Sequence, residues 1–448
     1  MDPNWAWSPY APHRSQPWNR RRAAHLFRRA GFGAHSSDLD EAIEREPDEV
    51  LQRLLARSPD PAFRENMDDL ARAVLAGGEP ENLAAWWLYG MLSTPDPLLE
   101  KMTLFWHGHF ATSAAKVQDA QMMLDQNRLL RRHALGRFGE LIQGISRDPA
   151  MLVYLDSENN RKVHPNENYA RELMELFCLG EGHYTEQDIQ QLARCFTGWE
   201  VRRRRFRFNR YQHDFGRKTI LNHSGPFSGQ EAIQIVVDQA SCPHFVVRKL
   251  IRYFIADEPQ ASQALIEPLA QEFRDREGDI GWIVKRILGS QLFFSDHAIG
   301  RKIRSPVELG VGLLRAFQAT TDLYQLAEGL AQIGQQLFYP PNVKGWDGGK
   351  AWINSATLIG RVNLVHRLIR HEKTRFARGN FEGLLDKHNI HTPEEIVDWL
   401  LELLVAVPIA REDRSHLICL ARDSDDDKNQ QIVIVVQAIS TLPEFQLA

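Results

Sequence analysis

Apolar residues recur every three or four positions along almost the whole chain, and a chain patterned in this way folds as stacked amphipathic helices. In the segment 19–30 they fall at Ala23, Leu26, Phe27 and Ala30, and Gly31 provides a C-terminal stop. Residues 36–76 read as two or three short helices, with joins near Pro47 and Pro61. Further helices are expected over 81–92, 97–110, 118–135, 166–179, 229–239, 243–256, 260–276, 279–290 and 306–318. Thr185-Glu-Gln-Asp188 is a capping-box-like start, with Asp in place of the usual Glu, for a helix ending near Phe196 with Gly198 beyond it. Asn354 caps a helix to about Arg370, after the turn-rich loop 337–349. Residues 432–436 have strand propensity but fall where a final helix is expected, and 423–427 form a solvated acidic turn. The character changes between 201 and 222, where arginines alternate with aromatics. This reads as a small β-ribbon or ordered loop set into a helical body.

The expected fold is therefore mainly α, a multi-helical orthogonal assembly with a small β-ribbon insertion at about 200–224. An N-terminal arm (1–17) precedes the main helical unit (18–371), and a C-terminal helical extension (372–448) follows it. The 448 residues, 43% hydrophobic and 25% charged, are ordinary for a soluble globular chain with a sizeable core. A net charge of -4 supplies no global field for nucleic acid. The four cysteines are widely spaced, form no CxxC pair and read as reduced, mostly buried thiols. The first residues carry no basic segment followed by an apolar run, and no stretch of roughly 20 apolar residues could span a membrane. The expected address is the cytoplasm.

The chemistry is concentrated in His164-Pro-Asn-Glu-Asn-Tyr-Ala-Arg-Glu-Leu-Met-Glu-Leu-Phe-Cys-Leu-Gly180. On a helix, residues three and four apart share a face, so Asn168, Glu172 and Glu175 line up, while Glu167 sits four before Arg171. Upstream, His107 and His109 flank Gly108. In an ideal helix their rings point about 200° apart, and they chelate an ion only if the helix ends near Gly108. His213, Asp214 and Lys218 lie in the inserted segment. The glycine-rich loop places Lys344, Trp346 and Trp352 together, a combination able to clamp a sugar or peptide. Each group also has a structural reading: solvated acids, packed histidines, a Trp anchoring a loop. Arg202 to Arg205, with Arg207 and Arg210, can bind single strands, but such a run reads first as a charged edge ribbon protected from aggregation. Nucleic acid is not the expected partner. No dinucleotide fingerprint, nucleophile elbow or His-Glu-x-x-His occurs, so no nucleotide cofactor is expected.

Several of these motifs, in this order, resemble a bacterial family, domain-of-unknown-function family 1800. They are Arg22-Ala-Ala-His-Leu-Phe-Arg-Arg-Ala-Gly-Phe-Gly33, Phe105-Trp-His-Gly-His-Phe110, the stretch 164–180, Gly182-His-Tyr-Thr-Glu-x-Asp188, Phe196-Thr-Gly-Trp199, His213-Asp-Phe-Gly-Arg-Lys218 and Pro341-Asn-Val-Lys-Gly-Trp346. The resemblance covers nearly the whole chain. It implies a mainly helical bacterial protein of undefined function. It also implies a possible sulfatase-like partner from a neighbouring gene. Many members are exported, whereas this sequence shows no signal, and Gly108 stands where the family often has Asn.

The residues together suggest a metal-dependent enzyme of hydrolase or oxygenase type. Its divalent transition metal (zinc, iron, copper or manganese) would be held by His107, His109 and Glu175, with His164 or His213 as a further ligand. Glu172 would be the general base, and Arg171 and Lys218 would orient an anionic group. Asn168, Lys344, Trp346 and Trp352 would contact substrate. The alternative is a non-enzymatic interaction or scaffold protein in which the same polar residues form a buried network.

Overall fold

Helix starts require side chains that accept the first free amide hydrogens, and the capping signals in the sequence do this. The computed structural model describes residues 1–58, 60–376, 381–423 and 427–448. Asn19 accepts from the Arg22 amide and opens the helix Arg20–Ala30. Asn354 and Thr357 form a reciprocal box at the start of Ser355–Arg370. Thr185 and Asp188 do the same for Glu186–Cys195. Aspartate serves there because its two oxygens have separate tasks: Oδ2 accepts from the Thr185 amide, and Oδ1 accepts from the Leu221 amide at 2.8 Å, tying the inserted ribbon to the helix.

The stretch 36–76 forms three helices, Ser36–Ile43, Pro47–Leu55 and Pro61–Gly77. The helices Phe138–Ile145, Pro149–Tyr154 and Leu323–Gln332 were not singled out by periodicity. The β-branched run 432–436 lies inside the helix Lys428–Thr441. Ile432, Val433, Val435 and Val436 are all buried there, so packing on several sides overrides strand propensity. Most of the acidic turn lies outside the described residues.

Among the described residues strands occur only as three antiparallel two-stranded ribbons. Trp199–Arg202 pairs with Arg205–Phe208, and Lys218–Ile220 with His223–Gly225, as expected for the insertion. The third, Ala319–Thr320 with Arg375–Phe376, joins the segment after 371 to the body. That segment is also held elsewhere. Arg28 donates to the carbonyls of Glu402, Leu403 and Val405, and Ile303 bridges to Leu447. The N-terminal arm returns to the body through Trp7 Nε1 on the Leu265 carbonyl and a Pro9–Ser290 bridge. Buried apolar side chains from Ala6 to Phe445 join one core cluster. Among the described residues no helix is long and apolar enough to cross a membrane.

The core also contains charge. Glu308, third residue of the helix Pro306–Ala316, accepts from the Ser305 amide at 2.7 Å and pairs with buried Lys101. Burial alone would raise its pKa, but Lys101 and Lys302 outweigh burial and hold it at about 2. Since the ordinary glutamate value is higher, its stabilisation is present above that value and is lost as pH falls toward 2. Glu308→Gln should therefore destabilise the protein by about 3–5 kcal/mol in a denaturant titration, because Lys101 is left buried without a counter-charge. A loss below about 1 kcal/mol would show that backbone carbonyls alone hold the cations.

Candidate functional site

The helix Pro97–His109 begins with proline and runs through both histidines before ending at Phe110, so the two rings point to different sides. His107 Nε2 accepts from the Phe338 amide at 3.1 Å, and its ring packs against Trp87, Phe338 and Trp346. Burial lowers its pKa to about 4. His109 faces Phe177 and Phe245. Its Nε2 lies 3.1 Å from the Phe177 carbonyl, which can only accept, so Nε2 carries the proton and Nδ1 is free to accept from Lys249 Nζ at 3.1 Å. The expected chelate does not form because the helix persists through Gly108.

The other expected ligands also lie apart. His164 is exposed on the loop before the helix Asn168–Glu172. His213 is buried between Phe208 and Phe215, with Nδ1 2.8 Å from the Thr197 carbonyl. Among the described residues no group of three or more His, Cys, Asp or Glu side chains is placed to hold a metal ion. Lys218 is buried and donates to the carbonyls of Asp214 and Phe227, which fastens the ribbons. Arg171 pairs with Glu186 and Glu167 at the surface. Asn168 Nδ2 donates to the Leu155 carbonyl at 3.3 Å.

Glu172 and Glu175 do lie together. The helix widens into a π-turn over Leu173–Cys178, a rare form often found at functional sites. Glu172 is half-buried. Burial first and the Glu175 charge second raise its pKa, against Arg171 and Lys344, which lower it. Glu175 accepts from the Tyr184 hydroxyl at 3.2 Å.

The loop 337–349 brings the remaining residues together. Phe338 adopts φ +65°, and its amide is fixed by His107 while its carbonyl accepts from the Ala114 amide. Gly345, at φ +78°, sits against the Gly108 carbonyl, and a Cβ there would collide with that oxygen. A Cβ on Gly108 itself would meet only the Trp346 ring at 3.9 Å, an ordinary contact. This docking presents Lys344, Trp346 and Trp352 to a cleft of about 260 Å³. Phe105, His109 and Tyr253 form further wall, and Lys249, Arg252 and Lys302 supply positive charge.

Lys249 is the most unusual group in the cleft. Burial first, then Arg252, lowers its pKa to about 8. Its Nζ donates to His109 Nδ1 and to the Leu176 carbonyl, both at 3.1 Å, and lies 4.7 Å from the Phe245 ring centre. Lys302, also lowered to about 8 by burial, pairs with Asp257. The sequence reading found the loop side of this cleft and missed Lys249, Arg252, Tyr253 and Lys302. In the sequence Lys249 falls off the apolar stripe of Val246, Val247, Leu250 and Ile251 on the helix Ser241–Phe254, so periodicity alone does not mark it.

His107 links the loop to the helix, and its low pKa makes that link pH-sensitive. The unfolded chain binds a proton on this ring at higher pH than the folded chain does, so stability should fall as pH drops from about 6.5 toward 4. In His107→Gln that part of the slope should disappear from denaturant midpoints measured across the range. An unchanged slope would show that His107 does not bear the load.

No curated protein and no solved structure matches this chain. A family model described as a protein of unknown function, DUF1800, matches residues 25–447, and so continues through the segment expected to be a C-terminal extension. The chain belongs to the DUF1800 family.

Proposed function

We propose that this protein is an enzyme acting on a small molecule that carries an anionic group and a flat ring or sugar face. The substrate would lie in the cleft between Trp346, Trp352 and Tyr253, with Lys249 as the acid–base group. One observation carries this reading: Lys249 Nζ makes two hydrogen bonds, both to groups that accept. An ammonium fills those two bonds and has a third N–H left for a ligand. A neutral amine fills the same two bonds and has its lone pair in the third direction. With a pKa of about 8, both forms are accessible near neutrality without rearrangement, which suits a general acid–base group. Arg252 and Lys344 would attract the anionic group, and the tryptophans would cover the ring. Glu172 lies within electrostatic reach of Lys344. The metal-dependent reaction expected from the sequence would need a ligand set that the described residues do not gather. The scaffold reading draws support from His213, Lys218 and Asn168, which each hydrogen-bond to a backbone carbonyl, but it gives no role to the cleft.

The test begins with the titration of Lys249, followed by NMR of reductively ¹³C-methylated protein. A resonance titrating near 8 should disappear in Lys249→Arg. Thermal-shift screening against glucose 6-phosphate, gluconate and 4-hydroxybenzoate should give stabilisation that Lys249→Met and Trp346→Ala both lose. That stabilisation should weaken as pH rises through 8, because the neutral amine no longer attracts the anion. Titration of Lys249 above 10 would overturn the proposal. So would near-stoichiometric zinc, iron, copper or manganese that is lost in the His107→Ala, His109→Ala double variant.

A further inference from the structure

The arginine ribbon breaks local rules in two ways. In the hairpin register Arg202 lies directly opposite Arg205, and Glu200 opposite Arg207, so one face carries three arginines and one acid. That acid is already engaged by Arg161 at 3.4 Å and by Asn209 Nδ2 at 2.7 Å. Like charges directly opposite each other weaken a strand pair. The two-residue turn is Arg203-Arg204, with φ of +51° and +62°, where a chain optimised for stability alone would place Asn-Gly. Arg204 pairs with Asp119. Arg202, Arg203, Arg205, Arg207 and Arg210 are exposed and have no carboxylate partner among the described residues. Departures from local stability of this kind mark functional positions.

The second observation is apolar. Beside these arginines Phe208 is 47% exposed, Tyr211 78% and Phe215 62%. They are not scattered. The His213 ring touches both Phe208 and Phe215, which joins those two, and Tyr211, two residues before His213, lies under Arg210. Lys162 fastens the neighbouring loop to this segment through the Gln212 carbonyl. Guanidinium groups suit phosphate, and exposed flat rings suit stacked bases.

We propose that this ribbon is a docking surface for single-stranded nucleic acid, with the unpaired arginines on the phosphates and Phe208, Tyr211 and Phe215 stacking on bases. An acidic peptide would neutralise the arginines but leave the aromatic rings in water. A membrane would meet a hairpin tip made of Arg203 and Arg204 rather than apolar side chains. The sequence alone favoured a solvated edge, because it did not show that the arginines lack partners or that the aromatics stay exposed.

The test uses the full-length protein and a fluorescein-labelled oligo-U 20-mer, read by anisotropy. Binding should weaken roughly 20- to 100-fold between 50 and 200 mM NaCl if three to five phosphates are neutralised. The Arg202→Gln, Arg205→Gln, Arg207→Gln variant should flatten that salt dependence. Tyr211→Ala with Phe215→Ala should weaken binding at least about tenfold while leaving the salt slope unchanged. All five positions are exposed, and unchanged circular dichroism would confirm folding. Three results would overturn the proposal: no oligonucleotide binding at 50 mM NaCl, tighter binding to poly-glutamate or phosphatidylserine vesicles than to the oligonucleotide, or binding indifferent to the aromatic substitutions.

Discussion

The molecule depends on buried cations donating to the carbonyls that its helices leave unpaired. A fold made of so many short helices places many helix C-termini inside, and each presents carbonyls with no partner of its own. Arg29 donates to the carbonyls of Tyr253 and Phe254, at the end of Ser241–Phe254. Arg315 takes those of Met91 and Leu92, near the end of Leu83–Ser93. Arg28 and Arg304 share the end of Pro393–Leu404. Each cation also meets the negative end of a helix dipole, so charge and hydrogen bond act together. The result is a surplus of buried positive charge, and Glu308 is the carboxylate at its centre.

That arrangement connects stability to the cleft. Lys302 donates to the Arg252 carbonyl and pairs with Asp257, whose other oxygen accepts from the Ile303 amide. Lys302, Asp257 and Glu308 all contribute to the cleft wall. A ligand anion entering there would find Lys302 already paired with Asp257 and would meet Lys249, Arg252 and Lys344, none of them in an ion pair among the described residues. The low pKa of Lys249 has the same origin, since a partly desolvated amine beside Arg252 is easier to hold neutral.

Local features of the fold were legible in the sequence because they rest on neighbours in the chain. Asn19, Thr185 and Asn354 each cap the helix that their positions imply, and the change of composition after Val201 marks the ribbons. What could not be read depends on partners far along the chain. Nothing in Trp-His-Gly-His shows that His107 will accept from an amide 231 residues away, or that His109 will meet Lys249 140 residues on. The metal expectation assumed that histidines and carboxylates close in sequence type would be close in space. The persistence of the helix through His109 separated them.

The contact between Gly108 and Gly345 gives the two best-defined motifs a common purpose. Gly108 lies between the histidines and Gly345 between Lys344 and Trp346, and the backbone of the second rests on the carbonyl of the first. A side chain at 345 would force the loop outward, carrying Lys344 and Trp346 away from the cleft. His107 fixes the same loop seven residues earlier, at Phe338. His107 is thus a positioning residue for the loop and His109 a hydrogen-bond partner of Lys249. Two histidines that look like one chelating pair in the sequence instead hold two different parts of the cleft wall, His107 the loop and His109 Lys249.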